Sequence, residues 1–124
     1  MKKADHLALG EKGEQLAADF LLKKGYVIVE RNWRNVHEEI DIIASHHQTL
    51  VIAEVKTRST SVFGEPELAV TPLKQKKLAR AAEAYLEKAG HKGEMRFDVI
   101  SVVLNGNETR ITHIEDAFYP FFAE

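Results

Sequence analysis

Three segments, residues 39–44, 50–56 and 97–104, carry apolar side chains on both of the faces that alternate along a strand. A strand with one wet face alternates polar with apolar, so strands apolar on both sides must be covered on both. The chain therefore needs a sheet with a layer above and a layer below, and two amphipathic helical segments are available to supply them. The first runs from about 5 to 24, with Leu9, Ala17, Phe20 and Leu21 among its apolar positions and Gly25 as its stop. The second opens at Thr71-Pro72, a hydroxyl cap followed by a residue that suits the first helical turn. It places Leu78, Ala81, Ala82, Tyr85 and Ala89 on one face and ends at Gly90. Residues 26–33, rich in β-branched and aromatic side chains, read as a further strand. A short polar loop, 45–49, joins 39–44 to 50–56 as a hairpin, and Asn105-Gly106-Asn107 turns strand 95–104 into strand 109–114. The predicted order is α-β-β-β-α-β-β, and the predicted fold class is α/β: a three-layer α/β/α sandwich around a central mixed sheet.

With 124 residues and no repeat, linker or low-complexity tract, a single domain over 1–124 is expected. A domain of that size buries roughly two-thirds of the surface its unfolded chain exposes, so its core needs no metal or disulfide. Cys is absent, which excludes a disulfide framework, a thiolate zinc site and Cys nucleophile chemistry; a reduced cytoplasm permits this and is the expected location. No apolar run approaches the ~20 residues of a membrane span. The start, Met1 to His6, runs into mixed polar sequence, so neither a secretory leader nor a membrane partner is expected.

Charged residues inside apolar strands are the informative exceptions, because an unpaired buried charge is costly. Asp41 sits amid Ile40, Ile42 and Ile43, while Glu54 and Lys56 flank Val55. Alternation sends Glu54 and Lys56 to one face. If the hairpin turns at His47 and Gln48, cross-strand positions sum to about 95, which brings Asp41 opposite Glu54 or one place away. Two facing carboxylates repel unless something positive lies between them. A hard divalent cation answers this, since Mg²⁺ takes one or two carboxylates and keeps waters for phosphate oxygens. Lys56 beside it would orient or help deprotonate a water. A plain ion pair of Lys56 with either carboxylate is the structural alternative.

On the first helix, Glu14 lies on the stripe Gly10, Gly13, Glu14, Ala17, Leu21, Leu22, whose small residues let the helix approach the sheet. Glu14 is therefore a candidate third ligand, directly or through a metal-bound water; the alternative is a carboxylate favoured by the helix N-terminus. The formal charge is 17 basic minus 19 acidic groups, or -2, which argues against coating nucleic acid by bulk attraction. The total hides a gradient: residues 56–80 hold six basic and two acidic side chains. Thr57, Arg58 and Ser59 are expected to leave the strand, and Phe63-Gly64-Glu65-Pro66 to lead to the second helix. There Lys74, Lys76, Lys77 and Arg80 crowd a helix start that suits phosphate. His46-His47 reads as a solvated turn, Trp33 as a core or rim residue, and Asp98 as the partner of a basic group.

Taken together these residues resemble the restriction-endonuclease-like superfamily of PD-(D/E)xK nucleases. Asp41 looks like its metal-binding aspartate, Glu54-Val55-Lys56 like its E-x-K strand, and Glu14 like the helical glutamate of several branches. More closely, the chain resembles the YraN-type family of small bacterial proteins. The matching segments are Gly10-x-x-Gly13-Glu14-x-x-Ala17, Asn32-Trp33-Arg34, Glu39-Ile40-Asp41-Ile42-Ile43-Ala44 and Val51-Ile52-Ala53-Glu54-Val55-Lys56-Thr57-Arg58. Ala69-Val70-Thr71-Pro72-x-Lys74 and Phe97-Asp98-Val99-Ile100 complete the set, which spans residues 10–100. One position departs: Glu38 stands where the family usually has glycine, which alters the turn into the strand or crowds the site with negative charge. The resemblance implies a restriction-endonuclease-like scaffold related to Holliday-junction resolvases. It implies a Mg²⁺- or Mn²⁺-dependent nuclease acting on branched or single-stranded DNA rather than RNA, in repair or recombination. Asp41, Glu54, the main-chain carbonyl of Val55 and Glu14 would then serve the metal, Lys56 the water, and Arg58, Lys74, Lys76 and Lys77 the nucleic acid. Junction cutting would require a homodimer. The competing classes are a non-catalytic nucleic-acid-binding or adaptor protein on the same scaffold, and a protein-interaction domain.

Overall fold

In a computed structural model that describes residues 3–36, 38–60 and 64–119, the elements follow the expected order. Phe63, in the loop expected to lead to the second helix, lies outside the described residues, as do Met1 and Lys2. Helix α1 spans Lys3–Lys23 and is followed by strands β1 (Val27–Arg34), β2 (Glu39–His46) and β3 (Thr49–Ser59). Helix α2 (Pro72–Ala89) then leads to β4 (Met95–Asn105) and β5 (Glu108–Phe118). The strands lie in chain order, β1-β2-β3-β4-β5. Only β3 and β4 run parallel, because α2 carries the chain back between them; the other pairs are antiparallel. Thr57, Arg58 and Ser59 do not leave the strand as expected. They extend β3, whose pairing with β4 continues to Ser59↔Leu104.

The doubly apolar strands are covered as their pattern requires. On one side Ala17, Ala18 and Leu21 of α1 pack on Ile42, Ala44, Val51, Ala53, Ile100 and Val102. On the other, Leu78, Ala81, Ala82 and Tyr85 of α2 pack on Ile43, Leu50, Ile52 and Phe97, with Trp33 edge-on to Tyr85 at 5.2 Å between centroids. Leu22 is 53% exposed rather than part of the α1 face, since it lies one residue, or about 100° of helical turn, beyond Leu21. Ala89 is exposed as well, because the last turn of α2 outlasts its contact with the sheet.

Local chemistry fixes the element ends. At the end of α1, Gly25 (φ 90°) lets Gly25 N–H donate to Leu22 and Tyr26 N–H donate to Leu21, with Tyr26 and Leu21 both buried. Thr71 Oγ1 accepts from Lys74 N–H at 3.2 Å and caps α2. His47 and Gln48 occupy a two-residue hairpin loop at φ 49° and 70°, so β2–β3 partners sum to 95, as in Ile42↔Ala53.

Gly13 accounts for how closely α1 meets the sheet. A Cβ built there would fall 1.8 Å from Thr57 Oγ1, whereas one at Gly10 would meet nothing within 4 Å.

Candidate active site

The β2–β3 ladder runs from His46↔Thr49 to Ile42↔Ala53 and extends no further. Beyond it β2 changes course: Ile42 belongs to the α1 side and Ile40 to the α2 side, against simple alternation. Facing this stretch on β1 is Asn32 at φ 54°, between the pairs Arg31↔Ile42 and Trp33↔Ile40. In the resulting fork Asp41 Oδ2 takes the place of a strand carbonyl and accepts from Val55 N–H at 2.9 Å. The Asp41 and Glu54 carboxyl groups hydrogen-bond to each other. Asp41, Val55, Thr57, Leu9, Gly10 and Glu14 line a cleft of about 300 Å³ between the fork and α1.

Burial dominates the electrostatics. It pushes Asp41 up, the Glu54 charge pushes it further, and the Val55 amide offsets only part, leaving Asp41 at about 7. Burial raises Glu54 too, although Lys74, the Asp41 hydrogen bond and Lys56 oppose it. Burial and the charge on Asp41 raise Glu14, against Arg31 and Asn32. Arg31 Nη2 stands 3.6 Å from Glu14 Oε1, and that oxygen, buried, has no hydrogen-bond partner among the described residues. Two carboxyl groups thus share one proton, and a third faces the same cleft with an acceptor unused.

The expected basic residues divide into two groups. Lys56 Nζ pairs with Glu67 at 3.1 Å, so it is held beside the carboxylate pair rather than on it. Arg58 Nη2 donates to the Glu65 carbonyl at 2.7 Å. Lys76 and Lys77 are exposed on α2. Lys74 turns inward, 2.9 Å from Glu38 Oε2 and 3.8 Å from Glu54 Oε2. Glu38 is thus the lysine's partner at the mouth of the site. Burial alone would raise its carboxyl, but hydrogen bonds from Lys74 and the Glu39 amide and the charges of Lys74 and Lys77 bring it below the ordinary value. Sequence reasoning flagged Glu38 and Lys74 separately and missed their contact, as it missed the Lys56–Glu67 pair.

The donor set is one that a hard divalent cation can use. Among the described residues no three His, Asp or Glu side chains gather into a ligand set. Mg²⁺ needs only one or two carboxylates and completes its shell with water, which Asp41 and Glu54 can provide for. Without a cation the pair carries a stability cost whose sign is fixed. Asp41 keeps its proton to about 7 when folded but loses it near 3.8 when unfolded, so stability drains away as pH rises between those values. Asp41→Asn keeps the side-chain shape and the Val55 contact but cannot ionise. Its Tm in chelator should exceed wild type by several degrees at about pH 8 and by less at about pH 5. Equal Tm differences at both pH values would count against a shared proton.

Elsewhere Asp98, fully buried, bonds to Arg96, His113 and the Asp116 amide, as its strand position suggested. His46 is not simply solvated: it stacks on Tyr26 at 4.0 Å, while His47 is exposed in the turn. No helix among the described residues is long and apolar enough to cross a membrane.

A family model described as "Uncharacterised protein family UPF0102" matches residues 13–102. The chain is 46% identical over 118 residues to a UPF0102 protein of Christiangramia forsetii, covering 95% of this chain and 99% of that one. It is 48% identical over 118 residues to a UPF0102 protein of Flavobacterium psychrophilum, with the same coverage. A UPF0102 protein of Thermodesulfovibrio yellowstonii is 46% identical over 113 residues, covering 91% of this chain and 97% of its own. The matched span contains Glu14, Asp41, Glu54, Lys56 and Lys74.

Proposed function

The chain belongs to the UPF0102 family, and from that premise we propose that it is a Mg²⁺- or Mn²⁺-dependent nuclease acting on branched or single-stranded DNA. The carrying observation is the fork, where Asp41 and Glu54 are forced together at the edge of an open cleft, with the Lys74 ammonium 3.8 Å from Glu54. Asp41 and Glu54 hold the cation, with the Val55 carbonyl as the main-chain donor. Bound there, it would lower the pKa of a coordinated water and stabilise charge on phosphorus. The Val55 amide fixes one oxygen of Asp41, so the carboxylate keeps its direction when it gives up its proton. Glu14, with Oε1 unbonded, orients water across the cleft. Lys56 leaves Glu67 to position the attacking water, and Arg58, Lys76 and Lys77 meet the phosphate backbone beyond.

Purified protein with Mn²⁺ should cut a panel of branched and single-stranded DNAs, and Glu54→Ala or Lys56→Ala should each abolish cutting. Unchanged cleavage in both variants would sink the assignment. A non-catalytic DNA-binding role is favoured by one observation, the exposed Lys76 and Lys77 on α2, which need no metal to meet a phosphate backbone. It would show as salt-sensitive DNA binding, weakened by changing Lys76 and Lys77, with no cleavage under any metal.

A further inference from the structure

We propose, resting on the metal-site reading above, that Lys74 is the site's resident counter-cation, which competes with a divalent ion for Glu54, and that Glu38 is the positioning residue that draws Lys74 aside. The ammonium lies between two carboxylates, hydrogen-bonded to Glu38 Oε2 at 2.9 Å and only near Glu54 Oε2 at 3.8 Å. Both anchors are set by other bonds. Glu38 Oε1 accepts from Glu39 N–H at 3.0 Å, and the Glu38 amide donates to Asn35 Oδ1 at 3.2 Å, while Asn35 N–H donates to the Glu38 carbonyl at 3.3 Å. The Lys74 backbone is held in the first turn of α2 by the Thr71 cap. What remains free is the four-carbon stem, so one ammonium on a fixed root can choose between two fixed carboxylates.

Lys56, whose charge also reaches Glu54, pairs with Glu67 and is assigned to the water rather than to the carboxylate pair. With Glu54 ligating a divalent ion, Lys74 is repelled and withdraws fully onto Glu38, where its charge stays paired. Without Glu38 that refuge is lost, and Lys74 closes on Glu54 and opposes the ion. The two residues therefore act on metal affinity in opposite directions, although both lie beyond the carboxylate pair itself.

Mn²⁺ titration of the full chain by calorimetry, with a thermal melt of each variant as a fold check, reads this without recourse to cleavage. Lys74→Gln should bind Mn²⁺ roughly tenfold tighter than wild type and Glu38→Gln roughly tenfold weaker, the scale usual for groups that tune a metal site from outside it. In the double variant the Glu38 effect should vanish, because Glu38 acts through Lys74. Unchanged or weaker binding by Lys74→Gln overturns the inference, as does a Glu38→Gln penalty that persists when Lys74 is already gone. If neither wild type nor Lys74→Gln binds saturably, or if binding survives Asp41→Ala, the metal-site reading itself fails and takes the inference with it.

Discussion

Asp98→Ala is expected to cost about 3–5 kcal/mol, the range for removing one partner of a buried, hydrogen-bonded charge network. Asp98 is fully buried, and both of its oxygens are saturated. Oδ1 accepts from Arg96 Nε at 2.9 Å and from the Asp116 amide at 3.0 Å; Oδ2 meets Arg96 Nη2 at 3.1 Å and His113 Nε2 at 2.7 Å. Truncation takes the two-point partner from Arg96, leaving its guanidinium only the Tyr26 hydroxyl and Glu115, and removes the Nε2 partner of a His113 side chain that is itself only 2% exposed. Because marginal domains hold only about 5–15 kcal/mol, the variant should lose a large share of its stability, roughly 10–20 °C in Tm.

The pH dependence follows from the direction of the shift. Burial would raise the Asp98 carboxyl, but His113, Arg96 and the Asp116 amide together hold it below the ordinary value. A carboxyl lowered by folding contributes its stability above the unfolded value, ~3.9, and loses it as pH falls through the folded one. The gap between wild type and Asp98→Ala should therefore be full at neutral pH and close in strong acid. Urea titrations at both pH values measure it, and a neutral-pH loss below about 1 kcal/mol would mean the network is dispensable.

Much of this architecture is legible from side-chain alternation. Residues 39–44, 50–56 and 97–104 are apolar on both faces because each strand lies between two helices. The hairpin register follows from a turn at His47-Gln48 and, carried one place beyond its last pair Ile42↔Ala53, points Asp41 toward Glu54. Arg96 and Asp98, two apart on one strand, share a face by the same rule. What escapes is whatever depends on broken periodicity or on where a long connection returns. The fork at Asp41 depends on Asn32 adopting φ 54° within β1, a backbone state no local motif announces. His113 pairs with Ile100, as counting from the Asn105-Gly106 turn gives, and so shares the face of Asp98; it is the Asp116 amide that reaches Asp98 only through the register shift between Phe97 and Val99, which counting does not give. Lys74 meets Glu38 and Glu54 because the segment after β3 brings α2 back over the fork, and this long-range return has no signature in the run of lysines. The chemistry local to a hairpin was thus readable, whereas the counter-charges around it were set by tertiary placement.

Gly13→Ala should also destabilise the fold, for a steric reason that bears on the cleft. The new Cβ would lie 1.8 Å from Thr57 Oγ1, 2.4 Å from Cγ2 and 2.6 Å from Cβ, so no rotation of Thr57 relieves the overlap. Thr57 sits in β3 beside Lys56, fixed by parallel pairing to Val102, so the helix must yield rather than the sheet. Overpacking of this kind costs about 1–3 kcal/mol and more when backbone must move, against a helix-propensity gain of at most ~1 kcal/mol. Gly10→Ala is the matched control: it takes the same propensity gain with nothing within 4 Å, and should stabilise slightly. Shifting α1 also shifts Glu14, the next residue, relative to Asp41 across the cleft. Gly13→Ala should therefore lower both Tm and Mn²⁺ affinity, and Thr57→Gly in the same chain should restore part of each despite the ~1 kcal/mol cost of glycine in a strand. A Gly13→Ala protein that melts and binds like Gly10→Ala would show that α1 does not rest on Thr57, and the cleft between helix and fork would lose its floor.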